Sequence, residues 1–292
     1  MSTMDNCLVV LNYNDAQTTY KFVEMASKCT TINKIIVVDN YSSDNSFEEL
    51  LKLSNDEIDV IQSERNGGYA YGNNFGCRYA IENYNPECIF ISNPDVCFSD
   101  ETIKHMQDAL CKNENIGVIA PIVNQGYNVW TIPTFLGVLE SIFMIWHNIH
   151  KRSIKKRLLD DEREIVNIGV VEGSFWCVKK DAYIKAGGLD EKTFLYYEEN
   201  IFSKRLNNCG FTEAVLTKDR YDHFHSVSIK KRFGGKTRAF KHFHTGMLIY
   251  LNKYLSSNFI KRGIFEICFL LGYLERIIFD IVNPIIGKIR GK

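Results

Sequence analysis

Over its first 120 or so residues the chain alternates short apolar runs with segments of helical periodicity. CLVVLNY (7–13), KIIVVDN (34–40), DVIQSE (59–64) and CIFISN (88–93) read as strands, separated by helical patterns near 16–28, 44–53 and 70–83. Strands that are apolar throughout, each followed by one helix, predict a mostly parallel sheet with helices on both faces, an α/β doubly wound architecture. Residues 100–112 continue as a helix and GVIAPIV (117–123) as a further strand. The pattern then becomes irregular. A basic, apolar stretch, FLGVLESIFMIWHNIHKRSIKKR (135–157), predicts a mobile or membrane-facing insertion, and ordered patterning resumes from 165.

Sheets of this kind bind ligands beyond the carboxyl ends of their strands. Those ends carry Asn12-Tyr13-Asn14, Asp39-Asn40, Glu64-Arg65-Asn66 and Asn93-Pro94-Asp95, all opening on one edge. From about 256 the chain is helical in pattern and very apolar. Glu266, Glu275, Arg276 and Asp280 interrupt it, which makes a bilayer span a poor fit. Glu266, Arg276 and Asp280 fall within roughly 80° of one another on a helix, with Glu275 outside that stripe, so an interfacial amphipathic helix is the expectation.

The chain has 292 residues, 45% of them hydrophobic, enough for one large α/β domain with a tail or two small domains. Lys+Arg 35 against Asp+Glu 35 leaves no global field to argue for a nucleic-acid partner. The cysteines are scattered without a C-x-x-C pair, mostly inside apolar runs, as expected of reduced thiols in the cytosol rather than a zinc site. The N-terminus lacks a basic region followed by a long apolar stretch, so it does not read as a secretion signal. The active part is expected in the cytoplasm.

Four groups carry candidate chemistry. Asp39 sits between an apolar run and the turn-rich Asn40-Tyr41-Ser42-Ser43-Asp44; it either organises that turn or accepts a hydrogen bond from the imide N–H of a uracil or thymine ring. Asn66 to Gly76 (NGGYAYGNNFG) is a glycine-bearing loop entering a helix, though neither a dinucleotide fingerprint nor a P-loop. Asp95 offers the hard oxygen that Mg²⁺ or Mn²⁺ and a diphosphate need, while Asn93 is neutral and helps weakly or through water. A second set of acids must converge there. Glu198 and Glu199 open a helical run, where their side chains point about 100° apart; one can face the cleft as a base for an alcohol. His223 and His225 alternate as in a strand and can complete a metal or diphosphate site, whereas His242 and His244 look unremarkable.

Taken in order, VVLNYN, VVDNYSSDNS, N-x-G-x-x-x-G-x-N-x-G, SNPDV, EGSFWCVKKDAYIKAGGLDE, FLYYEEN-x5-R and H-x4-S resemble the family 2 inverting glycosyltransferases of the GT-A fold. The resemblance is closest to the bacterial rhamnosyltransferase-like branch that builds surface polysaccharide, and it covers about residues 7–228. It implies a nucleotide-sugar half (about 1–125), an acceptor and catalytic half (about 165–228) and a helical region (229–292) that associates with a membrane. It implies nucleotide-sugar contacts from Asn12, Asp39, Asn66, Gly68, Asn74 and Asn93. Asp95 would be the metal ligand of a D-x-D variant, with His223 beside it and His225 as the alternative. Glu199 stands at the position of the catalytic base, and Glu172 and Trp176 would border the acceptor. Two departures stand out: Glu replaces the usual Asp at 199, and Ile201 occupies a place where a second acid is common. Arg205 fits the pattern.

The resemblance therefore implies transfer of a sugar, L-rhamnose being one candidate, from a dTDP- or UDP-linked donor to a saccharide hydroxyl, with inversion and with Mg²⁺ or Mn²⁺. The acceptor is expected to be linked to a lipid diphosphate on the cytoplasmic face of the plasma membrane, where basic segments (His150-Lys151-Arg152, Lys155-Lys156-Arg157, Lys230-Lys231-Arg232, Lys236, Arg238) meet anionic lipid. The alternative for the tail is packing on the domain or a homodimer contact. Two other functions share the class. A sugar-nucleotide pyrophosphorylase should carry a Gly-rich, basic loop after the first strand, where this chain has Asn12-Tyr13-Asn14-Asp15. A catalytically impaired binding or scaffold protein is the reading favoured by the departures at 199 and 201.

Overall fold

The computed structural model describes residues 6–224 and 236–289. The first half alternates as the pattern predicts: β1 (Asn6–Asn12), α1 (Ala16–Ala26), β2 (Lys34–Asp39), α2 (Ser46–Leu50), β3 (Ile58–Gln62), α3 (Gly68–Tyr84), β4 (Cys88–Ser92), β5 (Val96–Cys97), α4 (Asp100–Lys112) and β6 (Ile116–Val123). There follow β7 (Val129–Trp130), α5 (Phe135–Ile142), α6 (Met144–Leu159), β8 (Ile165–Ile168), β9 (Val170–Val171), β10 (Phe175–Lys179), α7 (Lys180–Ala186), α8 (Glu198–Asn208), β11 (Thr212–His223), α9 (Lys236–Tyr254) and α10 (Phe259–Ile289).

The main sheet has nine strands in the order β3-β2-β1-β4-β10-β6-β11-β5, with β8 pairing β11 beside that path. β1, β2, β3 and β4 are parallel, β10 runs antiparallel between β4 and β6, and β6 and β11 are parallel again. Successive side chains on a strand point to opposite faces. Leu8, Val10 and Phe90 accordingly pack with Phe22 of α1 and Met106 of α4, whereas Val9, Ile36 and Ile91 pack with Ala70 and Cys77 of α3 and Phe202 of α8. Fully burying each such aliphatic or aromatic side chain contributes about 1.5–3 kcal/mol before entropy is charged against it. α3 lies especially close to the sheet. A methyl at Gly76 would meet Val38 and Val9 side chains at 2.6 Å, so Gly76 serves helix packing.

The stretch 135–157, expected to be a mobile or membrane-facing insertion, is helical and packed on one face. It folds into α5 and α6, and Val138 and Ile142 are fully buried against Tyr197, Ile201, Phe240 and Phe265. Ile154 and Leu158 pack on Ile122, Val166 and Val215. Apolar residues on the inner face of both helices anchor them, while Leu136, Ile145, Trp146 and Ile149 face outward.

The polar stripe of α10 faces the protein. Arg276 is buried, donates to the Ile142 carbonyl at 2.6 Å and covers the Phe240 ring at 3.4 Å. Glu275 accepts from the Met144 N–H at 3.0 Å, and Glu266 pairs with His244 at 2.9 Å. Polar groups thus tie α10 to α5, α6 and α9, because a buried polar group needs a partner. Phe265 and Phe269 pack inward, while other apolar residues turn outward: Ile267 is 64% and Ile278 62% exposed, with Ile260, Leu270, Leu274 and Ile281 on the same outer surface. No helix among the described residues is long and apolar enough to cross a membrane.

Candidate active site

Parallel, in-register pairing makes the strand ends coincide. Asn12 pairs with Asp39 and Val10 with Ser92, so the loops after β1, β2 and β4 open on one edge, as expected. There they border a cleft of ≈ 270 Å³. The antiparallel β10 brings Glu172, Gly173 and Ser174 to the same edge from the opposite direction, and the Asn93 N–H donates to the Ser174 carbonyl at 2.8 Å.

Asp95 and His223 meet on the cleft because β5 pairs antiparallel with β11, placing Val96 opposite His223. The Phe224 N–H donates to the Asp95 carbonyl at 2.9 Å and the His223 N–H to Gln125 Oε1 at 3.0 Å. His223 Nε2 then lies 3.3 Å from Asp95 Oδ1, both side chains largely buried. Burial works against protonation of His223, but the hydrogen bond and charge of Asp95, with Glu172 behind, prevail and raise its pKa. No group of three or more His, Cys, Asp or Glu side chains that could hold a metal forms among the described residues. The Asp95 carboxylate nonetheless suits Mg²⁺ or Mn²⁺, which take one or two carboxylates and fill the rest with phosphate and water, while the His223 imidazole, a softer nitrogen donor, suits Mn²⁺ better than Mg²⁺. His225 and Ser228 lie outside the described residues.

The other half of the cleft is set by the turn before α8. Tyr196 and Tyr197 both adopt left-handed backbone, φ 71° and 77°, a conformation costing bulky residues about 1–3 kcal/mol each. α9 holds them there. The Tyr196 ring stacks on Phe243 with centroids 4.2 Å apart, Tyr197 packs edge-on to Tyr250, and Gly246 leaves room for Tyr197. The helix starting at Glu198 therefore has one direction. Glu198 also lines the cleft but is buried, and burial and then the charge of Glu199 push its carboxyl well above the usual range. Glu199 faces the cleft half-buried, its Oε1 accepting the Gly173 N–H at 3.1 Å. Ile201 is fully buried among Tyr197, Phe240 and Tyr250, so an acid at that position would be desolvated by α9. Arg205 braces the region, donating to Asp190 at 3.2 Å and to Tyr254 at 2.8 Å.

Of the remaining candidates, Asn12, Gly68, Asn93 and Glu172 line the cleft. Gly68 has φ 88° and a methyl there would collide with the Phe194 carbonyl, so glycine is required. Four residues, Asp39, Asn66, Asn74 and Trp176, are not among those lining it. Asp39 is fully buried and its carboxylate accepts from Asn12 at 2.8 Å, from the Ser42 N–H and hydroxyl at 2.9 and 2.6 Å and from Gln62 at 3.0 Å. It organises the turn, and Asn40 takes the place on the cleft wall. Asn74 clamps Leu189, donating to its carbonyl and accepting its N–H, both at 2.9 Å. Trp176 is 4% exposed and packs on Phe202, one layer behind the acceptor side. Asn66 accepts from the Gly68 N–H at 3.2 Å and caps the turn. Sequence reasoning passed over Tyr13, Asp15, Tyr69 and Phe194, all on the cleft wall. Only their position beside a strand end or strained turn marks them.

Comparison with known proteins agrees with this geometry. The glycosyl transferase family 2 profile matches residues 7–187. The low-salt glycan biosynthesis hexosyltransferase Agl10 of Haloferax volcanii is 28% identical over 265 residues, 88% of this chain and 76% of that protein. Among solved structures, the mannosyltransferase PcManGT from Pyrobaculum calidifontis in complex with GDP-Man and Mn²⁺ superposes with a TM-score of 0.60 at 12% identity, over 86% of this chain and 65% of that one. GalNAc-T7 with UDP, GalNAc and Mn²⁺ gives 0.57 at 16% identity, over 75% of this chain and 44% of that one. These likenesses establish a GT-A-like fold, and the profile match establishes the family: the chain belongs to glycosyl transferase family 2.

Proposed function

We propose that this glycosyltransferase moves a hexose, L-rhamnose being one candidate, from a dTDP- or UDP-linked donor to a hydroxyl of a saccharide acceptor with inversion of configuration. The observation that carries this reading is the convergence on one cleft of Asp95 with His223 and, on the opposite wall, Glu199. Glu199 takes the proton of the acceptor hydroxyl as that oxygen attacks the anomeric carbon, and the nucleoside diphosphate leaves from the far side. Gly173 holds the carboxylate in place for this step. Asp95 and His223 are the residues that would hold Mg²⁺ or Mn²⁺, and the cation supplies charge neutralisation at the diphosphate. Asn12, Asn40 and Asn93 are disposed to meet the nucleotide, with Asp39 fixing Asn12 from behind. Glu172 borders the acceptor. Thermal shift against UDP- and dTDP-sugars with Mn²⁺, followed by release of nucleoside diphosphate, tests the reading. Binding without release identifies the chain as a scaffold, whereas formation of a sugar nucleotide from a sugar phosphate identifies a pyrophosphorylase.

We propose further that the enzyme works as a peripheral protein on the cytoplasmic leaflet and takes a lipid-diphosphate-linked acceptor in glycan assembly. The outward apolar surface of α10, the exposed Ile145, Trp146 and Ile149, and the exposed Arg152, Lys156 and Arg157 on α6 support it. Anionic lipid attracts each basic residue near its surface by about 1 kcal/mol. Lys230, Lys231 and Arg232 lie outside the described residues, as do the side chains of His150, Lys151, Lys236 and Arg238. Co-sedimentation with phosphatidylglycerol vesicles tests this: binding should weaken with salt and fall when Ile267, Leu274 and Ile278 are replaced by Ser. Equal recovery of both forms in the supernatant at low salt contradicts it, and a dimer lost in the triple variant assigns the surface to a second copy.

A further inference from the structure

Behind Glu199, away from the cleft, lies a second, smaller cavity of ≈ 10 Å³ lined by Tyr69, Trp176, Glu199, Ser203 and Glu213 among others. Glu199 is thus a wall between two spaces. Glu213, near the start of β11, is 4% exposed and has no part in the transfer described above. Its Oε2 accepts the Val171 N–H at 2.7 Å. Val171 leads through Glu172 to Gly173, whose N–H holds Glu199. On the other side, the Ser203 hydroxyl, one helical turn beyond Glu199, donates to the Glu199 carbonyl at 2.7 Å and shares the cavity wall with Glu213. Glu213 therefore borders both segments that aim Glu199.

We propose that Glu213 is a positioning residue for Glu199, fixing the Val171–Gly173 segment from behind the cleft. The inference rests on the reading of Glu199 as the base. Burial pushes the Glu213 carboxyl up to about 8, the Ser203 hydroxyl and Val171 N–H oppose this, and the Glu199 charge adds to it. The titratable groups facing Glu213 across the cavity are Glu199 on α8 and Tyr69 on α3; β6, β9 and β10 present Val118, Val171 and Trp176. No basic side chain lines the cavity. At neutral pH Glu213 is therefore an uncharged neighbour of the base. Above about pH 8 it becomes a second carboxylate beside Glu199, repelling it from its seat on Gly173.

The test is the pH dependence of kcat and KM for the wild type, Glu213→Gln and Glu213→Ala, with the nucleotide sugar that the UDP- and dTDP-sugar panel identifies. Glu213→Gln keeps the volume and the acceptor for Val171; it should stay within about twofold of wild-type kcat near neutrality and lack the fall above about pH 8. Glu213→Ala should lower kcat about tenfold or more with donor KM changed less than about twofold, because alignment rather than binding is lost. An alkaline fall retained in Glu213→Gln, or a wild-type kcat in Glu213→Ala, overturns the proposal. Should the alanine variant not fold, the glutamine profile decides alone. Wild-type kcat in Glu199→Gln overturns the base assignment instead, so the two failures are distinguishable.

Discussion

The Gly173 N–H donates to Glu199 Oε1 at 3.1 Å, so the residue after Glu172 seats the carboxylate proposed as the base. The Gly173 carbonyl in turn accepts the Tyr69 hydroxyl. A methyl at Gly173 would stand 2.8 Å from that hydroxyl and 3.0 Å from Glu199 Oε1. Gly173→Ala should therefore lower kcat about tenfold while donor KM stays within about twofold, the pattern of a lost transition-state alignment. A fully active alanine enzyme contradicts the seat.

Asp95→Asn preserves shape and removes the carboxylate that faces His223 at 3.3 Å. Metal-stimulated release of nucleoside diphosphate should be lost, and the thermal midpoint without metal should shift little, since the backbone bonds around Asp95 are made by its carbonyl. The measurement is a Mn²⁺ titration of turnover beside thermal denaturation. Unchanged Mn²⁺ dependence removes Asp95 from the metal site.

Glu213 also predicts a slope in stability against pH. Its carboxyl is raised from an ordinary 4.5 to about 8 by burial, so the unfolded chain ionises first. The stability it contributes is complete below about pH 4.5 and is lost progressively as the pH rises to about 8, on the order of a few kcal/mol in all. Asp190 pulls the opposite way: although burial raises its pKa, Lys253 and Arg205 hold it below the usual range, so its contribution is lost only on acidification. Urea unfolding at about pH 5 and about pH 8.5 should therefore show a steeper decline for wild type than for Glu213→Gln. Parallel declines contradict the buried, protonated carboxyl.

The strands, the helices between them and the edge on which they converge were legible because an apolar run of period two and an amphipathic segment of period 3.6 are local signals. That Asp95, His223 and Glu199 border one cleft was legible from their places, a strand mouth, an alternating pair and a helix start. Asp39, Asn74 and Trp176 lie behind the cleft wall for a common reason. Each is polar or aromatic beside the site, and whether it faces the cleft depends on long-range partners such as Gln62, Leu189 and Phe202 that no local pattern displays. The burial of Arg276 was not legible either, since its partner Ile142 is 134 residues away. The role of α9 in holding Tyr196 and Tyr197 was invisible, because strain in a turn is written in the residues that pack on it.

The central claim is that Glu199, and not its neighbour, is the base of an inverting sugar transfer. It is tested most directly by comparing Glu199→Gln with Glu198→Gln in single-turnover transfer, alongside donor affinity measured by calorimetry. Glu199→Gln should slow transfer by a factor on the order of 10² or more with donor affinity nearly unchanged, whereas Glu198→Gln, which replaces a buried carboxyl whose pKa burial raises, should stay within about tenfold of wild type. A Glu199→Gln enzyme that transfers at the wild-type rate, or a Glu198→Gln enzyme that is the more damaged of the two, would contradict the account.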